Sequence, residues 1–88
     1  MVSGSVEIRN EQGLHMRLAG IFASEMSKYK SRIILCVDGK RVNGKSIMHI
    51  IASCIGAGTS ITIECSGEDE QEALSAAISY IESGFGEN

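Results

Sequence analysis

Proline and tryptophan are absent from the 88 residues, and phenylalanine and tyrosine contribute only two each. The structural cues of proline and tryptophan are therefore missing, and the punctuation of the chain falls to its ten glycines. A basic excess is missing too. Eight Lys and Arg face eleven Asp and Glu, a net charge of -3, which excludes a general nucleic-acid binder that would need a basic face for phosphates. No stretch approaches the ~18 consecutive apolar residues of a membrane span, so no membrane insertion is expected. The opening MVSGSVEIRN lacks the basic and apolar regions of a secretory leader, and a cytoplasmic location is expected. Cysteines are few and odd in number: Cys36, Cys54 and Cys65, with no C-x-x-C pair. A disulfide framework is thereby disfavoured, and three reduced thiols are expected. Two histidines and no ligand cluster leave no metal site and no resident cofactor in view.

What is present fits one small domain, taken here as residues 1–88, with 43% hydrophobic residues. Val6 and Ile8 alternate with polar neighbours between Val2 and Arg9, the period of a half-buried strand. Turn residues over Asn10–Gly13 end it. From Met16 to about Lys28, Leu18, Ile21, Phe22, Ala23 and Met26 fall on one helical stripe, and Gly20 within it suggests close packing against a sheet. Arg32–Val37 alternates again, with Ile33, Leu35 and Val37 on one face. Asp38-Gly39 signals a tight hairpin turn into a short strand over Lys40–Val42. Ser46 is placed to cap a short helix running from Ile47 to about Cys54, with Gly56 and Gly58 stopping it. Ser60–Cys65 is a fourth strand. Glu68, Asp69 and Glu70 open a last helix, whose N-terminal dipole favours negative charge. Its expected buried stripe is Ala73, Leu74, Ala77, Ile78 and Ile81, and Gly84 ends it. The order β-α-β-β-α-β-α, with strands polar on one face, predicts an α+β two-layer open-faced sandwich: a four-stranded antiparallel sheet with three helices on one face.

The segment Gly13-Leu14-His15-Met16-Arg17 carries the chemistry. His15 stands where a glycine-ended loop enters a helix. Free backbone N–H groups and the positive end of the dipole favour an anion there, a phosphoryl group included. Arg17 adds a permanent fork of donors that fits phosphate oxygens. A neutral imidazole nitrogen accepts a phosphoryl group near neutral pH, since its ordinary pKa is about 6.5. A histidine and an arginine near a helix start are also a common surface arrangement, and no carboxylate is spaced to complete a catalytic triad.

Gly13-Leu14-His15-Met16-Arg17-Leu18-Ala19 resembles the active-site signature of the HPr family, the histidine-containing phosphocarriers of the bacterial sugar phosphotransferase system. Val42-Asn43-Gly44-Lys45-Ser46-Ile47-Met48 resembles the regulatory serine segment of the Gram-positive type. Ile61-Thr62-Ile63, Ser66-Gly67 with its acidic helix start, and the Gly-Phe-Gly-Glu tail are similar to that family as well. Three departures stand out: Leu18 replaces the proline usual after the arginine, and Gly44 and His49 differ within the serine segment. The resemblance implies a phosphoryl carrier rather than an enzyme, taking the group on the δ1 nitrogen of His15 from phosphorylated Enzyme I and passing it to the IIA component of a sugar permease. Arg17 would stabilise the phosphate. It further implies phosphorylation of Ser46 by an HPr kinase/phosphorylase, and binding of the phosphoserine form to a catabolite-control transcription factor. An HPr-like relative acting mainly as a phospho-Ser46 corepressor is the alternative.

A short helix cannot bury every apolar residue. With Ile50, Cys54 and Ile55 taking the core side, Ile47, Met48 and Ile51 turn to solvent and, with Met16, form a docking patch for partners. Lys45 and Arg17 supply local positive charge to steer anionic surfaces. His49 is read as a solvent-facing or capping histidine, and the chain as a monomer.

Overall fold

The computed structural model describes residues 1–11 and 13–84. Strand β1 (Val2–Glu7) is followed by helix α1 (Met16–Met26), strands β2 (Arg32–Val37) and β3 (Lys40–Asn43), helix α2 (Ile47–Ala52), strand β4 (Ser60–Ser66) and helix α3 (Glu70–Glu82). This is the β-α-β-β-α-β-α order expected. The four strands form one antiparallel sheet in the order β1-β4-β2-β3.

Register decides which residues meet the helices. Val6 pairs with Ile61, Leu35 with both Ile63 and Val42, and Ile33 with Cys65. All of these side chains are buried. Their alternates, among them Ser5, Thr62 and Glu64, line the open face, where Ser5 and Thr62 hydroxyls meet at 3.3 Å and Arg41 reaches Glu64 at 2.9 Å. Helix α3 lies against β1 and β4, while α1 packs on α3 and α2. Leu18, Ala19, Phe22, Ala23 and Met26 of α1 and Ala73, Ala77 and Ile81 of α3 close the core. Leu74 and Ile78 are only half-buried, at the edge of the α3 stripe.

The β2–β3 hairpin turns through Asp38 (φ 49°) and Gly39 (φ 78°), two successive left-handed residues as a two-residue hairpin requires. Across the molecule, Asp69 ties the start of β2 to the start of α3. Its carboxylate accepts from the Ser31 hydroxyl and from the backbone N–H groups of Lys30 and Ser31, both at 2.9 Å. The Ser31 hydroxyl foremost, with those amides, holds the Asp69 carboxyl down to about 2.

The structure corrects several expectations. Helix α2 ends at Ala52 and is turned off by Cys54, which takes φ 52° itself, before the glycines are reached. That conformation carries Cys54 out to solvent instead of into the core. Gly20 faces α2 rather than the sheet: a Cβ there would lie 4.0 Å from Cδ1 of Ile47. All three cysteines are free. Burial is the main cause that pushes the Cys36 and Cys65 thiols up, away from the reactive thiolate. Of the Gly-Phe-Gly-Glu tail, all but Gly84 lies outside the described residues.

Candidate functional site

His15 is the N-cap of α1, with extended backbone (φ -77°, ψ 177°). Its carbonyl already belongs to the helix, accepting from the Ala19 N–H at 2.8 Å. Its imidazole makes no capping bond and is half-buried. The first-turn N–H groups have no carbonyl partner inside the helix, and no acidic side chain occupies that turn. Arg17, in the same turn, is exposed. The terminus therefore keeps its positive character, and an anion beside His15 would meet backbone donors and a guanidinium together.

What holds His15 in place is the stretch before it. Asn10 closes the loop twice: its carbonyl accepts from the Gly13 N–H at 3.1 Å, and its side-chain Nδ2 donates to the Gly13 carbonyl at 2.7 Å. Leu14 is buried and its N–H donates to the Ile55 carbonyl at 2.9 Å. Gly13 has φ +66°, and a Cβ there would fall 2.5 Å from that same carbonyl oxygen. His15 is thus displayed from a loop clamped between the Asn10 clip and the segment after α2. Neither Asn10 nor Ile55 stands out in the sequence as part of the site. Asn10 has a local signal in its turn with Gly13, whereas Ile55 has none, because its partner Leu14 lies 41 positions earlier in the chain.

The second candidate segment lies beside the first because α2 packs on α1. Ser46 is the N-cap of α2, and its Oγ accepts from the His49 N–H at 3.2 Å. Met16 and Met48 are 71% and 76% exposed and Ile47 42%. These are the large apolar side chains that α1 and α2 leave outside. Ile51 differs from expectation: it is half-buried and packs against the core. Ile50 and Ile55 take the core side as expected. Lys45 is half-buried, and its ammonium, still carrying its charge, donates to the Tyr29 carbonyl at 2.6 Å. Leu18, in the position where the family pattern carries proline, is fully buried at the third position of the helix. Among the described residues, no group of three or more His, Cys, Asp or Glu could hold a metal ion, and no helix is long and apolar enough to cross a membrane.

A profile of the family described as "PTS HPr component phosphorylation site" matches residues 2–83. The chain is 44% identical over 82 residues to the HPr-like protein Crh of Halalkalibacterium halodurans, covering 93% of this chain and 98% of that one. A crystal structure of HPr from Thermoanaerobacter tengcongensis superposes with a TM-score of 0.96 at 41% identity, covering 100% of this chain and 99% of that one. A crystal structure of Bacillus subtilis Crh, described as a swapped, intertwined dimer, matches with a TM-score of 0.77 at 41% identity over 94% of this chain and 95% of that one.

Proposed function

The chain belongs to the HPr family, whose members are phosphocarriers and not enzymes, and from that premise we propose that His15 is its phosphoryl acceptor. In this reading the neutral δ1 nitrogen attacks phosphorus on phosphorylated Enzyme I. The N–P bond to His15 forms as the donor's bond to phosphorus breaks, and the second transfer, to a IIA component, reverses the roles. Arg17 and the first-turn amides of α1 neutralise the phosphoryl oxygens. The observation that carries the proposal is the display of His15 at the N-cap of α1, from a loop clamped by Asn10 and Ile55. Met16, Ile47 and Met48, with the edge of Ile51, form the apolar surface on which Enzyme I and IIA would dock in turn. Ser46 is the regulatory phosphorylation site, serving an HPr kinase/phosphorylase and, once modified, a catabolite-control transcription factor. The relay is read as cytoplasmic.

The test is transfer in vitro. The protein, phosphoenolpyruvate, magnesium and Enzyme I are mixed, and the added phosphoryl mass is located by peptide mass spectrometry at neutral pH. Acid-labile phosphate on His15, absent from a folded His15→Ala variant, is the expected result. Equal labelling of that variant refutes the assignment. Arg17→Ala is expected to slow transfer without unfolding the chain.

The Crh relatives favour a second reading, in which phospho-Ser46 corepression is the main activity. It predicts a folded protein that takes phosphate on Ser46 from the kinase but none on His15 from Enzyme I. A monomer is proposed for the resting carrier. The dimeric Bacillus subtilis relative makes the swapped dimer the competing result in sedimentation analysis.

A further inference from the structure

One titratable side chain near the site has no part in the relay chemistry. His49 sits three residues after Ser46, and its Nδ1 accepts from the Asn43 N–H at 3.0 Å. The rest of the turn is laced to the same residues. Ser46 N–H donates to the Asn43 carbonyl at 3.1 Å, Lys45 N–H to Asn43 Oδ1 at 3.0 Å, and His49 N–H to Ser46 Oγ at 3.2 Å. The arrangement extends a capping box: the third helical residue reaches back past the N-cap, whose own N–H is taken by the Asn43 carbonyl, to the N–H of Asn43. Here the returning acceptor is an imidazole instead of a Glu or Gln side chain. That exchange changes the physics. Nδ1 accepts only while it carries a lone pair, so the ring must be neutral with its proton on Nε2. Once protonated, both ring nitrogens are donors, and Asn43 N–H faces an N–H.

We propose that His49 is a proton-operated latch on the Ser46 turn: closed by neutral imidazole, opened by imidazolium, and so making the presentation of Ser46 to a modifying enzyme sensitive to pH. An imidazole changes charge between pH 5 and 8, where neither a carboxylate nor an amide acceptor does. The ring is exposed, so protonation needs no unfolding. The charged groups around it are accounted for. Lys45 lies in the turn with its ammonium on the Tyr29 carbonyl, and Arg41 of β3 is turned to Glu64 on the open face, with Lys40 at the far end of that strand. Helix α1, packed on α2, carries Arg17 and Glu25, with His15 at its N-cap. Among the described residues no carboxylate pairs with His49, so none holds the imidazolium in place of the latch.

The latch can be tested without any modification of Ser46. Nitrogen-15 NMR of the full chain, titrated from pH 8 to 5.5, reads the His49 tautomer, the Asn43 amide shift and its exchange protection. The expected result is an Nε2–H tautomer at pH 8. The Asn43 amide shift should move with the His49 midpoint, and its protection should fall as the ring charges. His49→Gln, which keeps an acceptor that does not titrate, should hold that protection flat across the range, and His49→Ala should lack it throughout. An Nδ1–H tautomer, or an Asn43 amide that ignores the His49 titration, overturns the latch.

Its regulatory meaning rests on the proposed modification of Ser46 and is read separately. With HPr kinase/phosphorylase and ATP, the ratio of wild-type to His49→Gln phosphorylation rates should rise between pH 8 and pH 5.5 by about two- to tenfold, the population change that one lost hydrogen bond allows. A constant ratio overturns the regulatory role. Absence of phosphate on Ser46 in both proteins refutes the Ser46 reading instead, with the NMR result standing apart from it.

Discussion

Replacing Gly13 by alanine tests how the His15 loop is built, and Gly39→Ala supplies its control. Both glycines have left-handed backbone, φ +66° and φ +78°. An L-residue in that region costs roughly 1–2 kcal/mol, which both variants share. They differ in surroundings. A Cβ at Gly39 meets nothing within 4 Å, whereas at Gly13 it falls 2.5 Å from the Ile55 oxygen and 2.7 Å from the Gly56 Cα. Those are backbone atoms and cannot rotate aside. If the backbone after α2 gives way, the Leu14–Ile55 hydrogen bond is lost, at about 0.5–1.5 kcal/mol. The displaced packing costs a further ~1–3 kcal/mol. Gly13→Ala should therefore lose about 2.5–6.5 kcal/mol against about 1–2 kcal/mol for Gly39→Ala. At about 4–8 °C per kcal/mol for a domain of this size, the melting temperatures should separate by at least ~6 °C. Thermal unfolding followed by circular dichroism, with urea midpoints as a second probe, measures the difference. Under conditions where it remains folded, Gly13→Ala should also accept phosphate on His15 more slowly, and Gly39→Ala at the wild-type rate. Equal destabilisation by the two substitutions would refute the claim that backbone from the α2–β4 connection braces the loop.

Asp69 titrates near 2 in the fold against about 3.9 in an unfolded chain. Its ionised form is therefore favoured by folding: the contribution is complete above about pH 4 and is lost as pH falls through about 2. Asp69→Asn should be less stable at neutral pH and show a shallower fall in urea midpoint from pH 4.5 to 2. Parallel pH profiles for the two proteins would sink this account. The two faces of α2 should separate binding from stability. Met48→Glu, at a position 76% exposed, should leave stability within about 0.5 kcal/mol while weakening Enzyme I and IIA binding. Ile50→Ala, fully buried, should cost about 2–5 kcal/mol. Calorimetric binding and urea unfolding of the same pair would expose an error if Met48→Glu binds as tightly as the wild type.

Much of the fold was legible because strands and helices write their periods locally. The alternation in Ile33–Val37 and Ser60–Cys65, and the helical spacing of Leu18, Phe22 and Met26, gave the elements, and the polar alternates gave the open face. Ends were less legible. The glycines at 56 and 58 are the natural helix stops, yet Cys54 adopts the left-handed conformation first. Periodicity has no term for a side chain that tolerates a disfavoured backbone. The division of α2 between core and solvent was mostly right, with Ile50 in and Met48 out. Ile51 is half-buried and Cys54 exposed, Cys54 because the left-handed bend at that residue carries it away from the helix.

The site divides in the same way. That a histidine stands at a helix start behind a glycine, with an arginine two residues on, and that a serine caps the next helix, are properties of a few adjacent residues and were settled by the sequence itself. Which groups hold them is a matter of topology. Asp69 meets Ser31, Leu14 meets Ile55, α2 lies on α1 and Lys45 meets Tyr29 only because the antiparallel sheet and the packed helices bring distant segments together. Each of those contacts pairs a backbone or side-chain polar group, or fills a gap, at a separation over which no local pattern carries information. Only the folded chain could decide them, because a hydrogen bond is specified by position in space and a periodicity only by position along the chain.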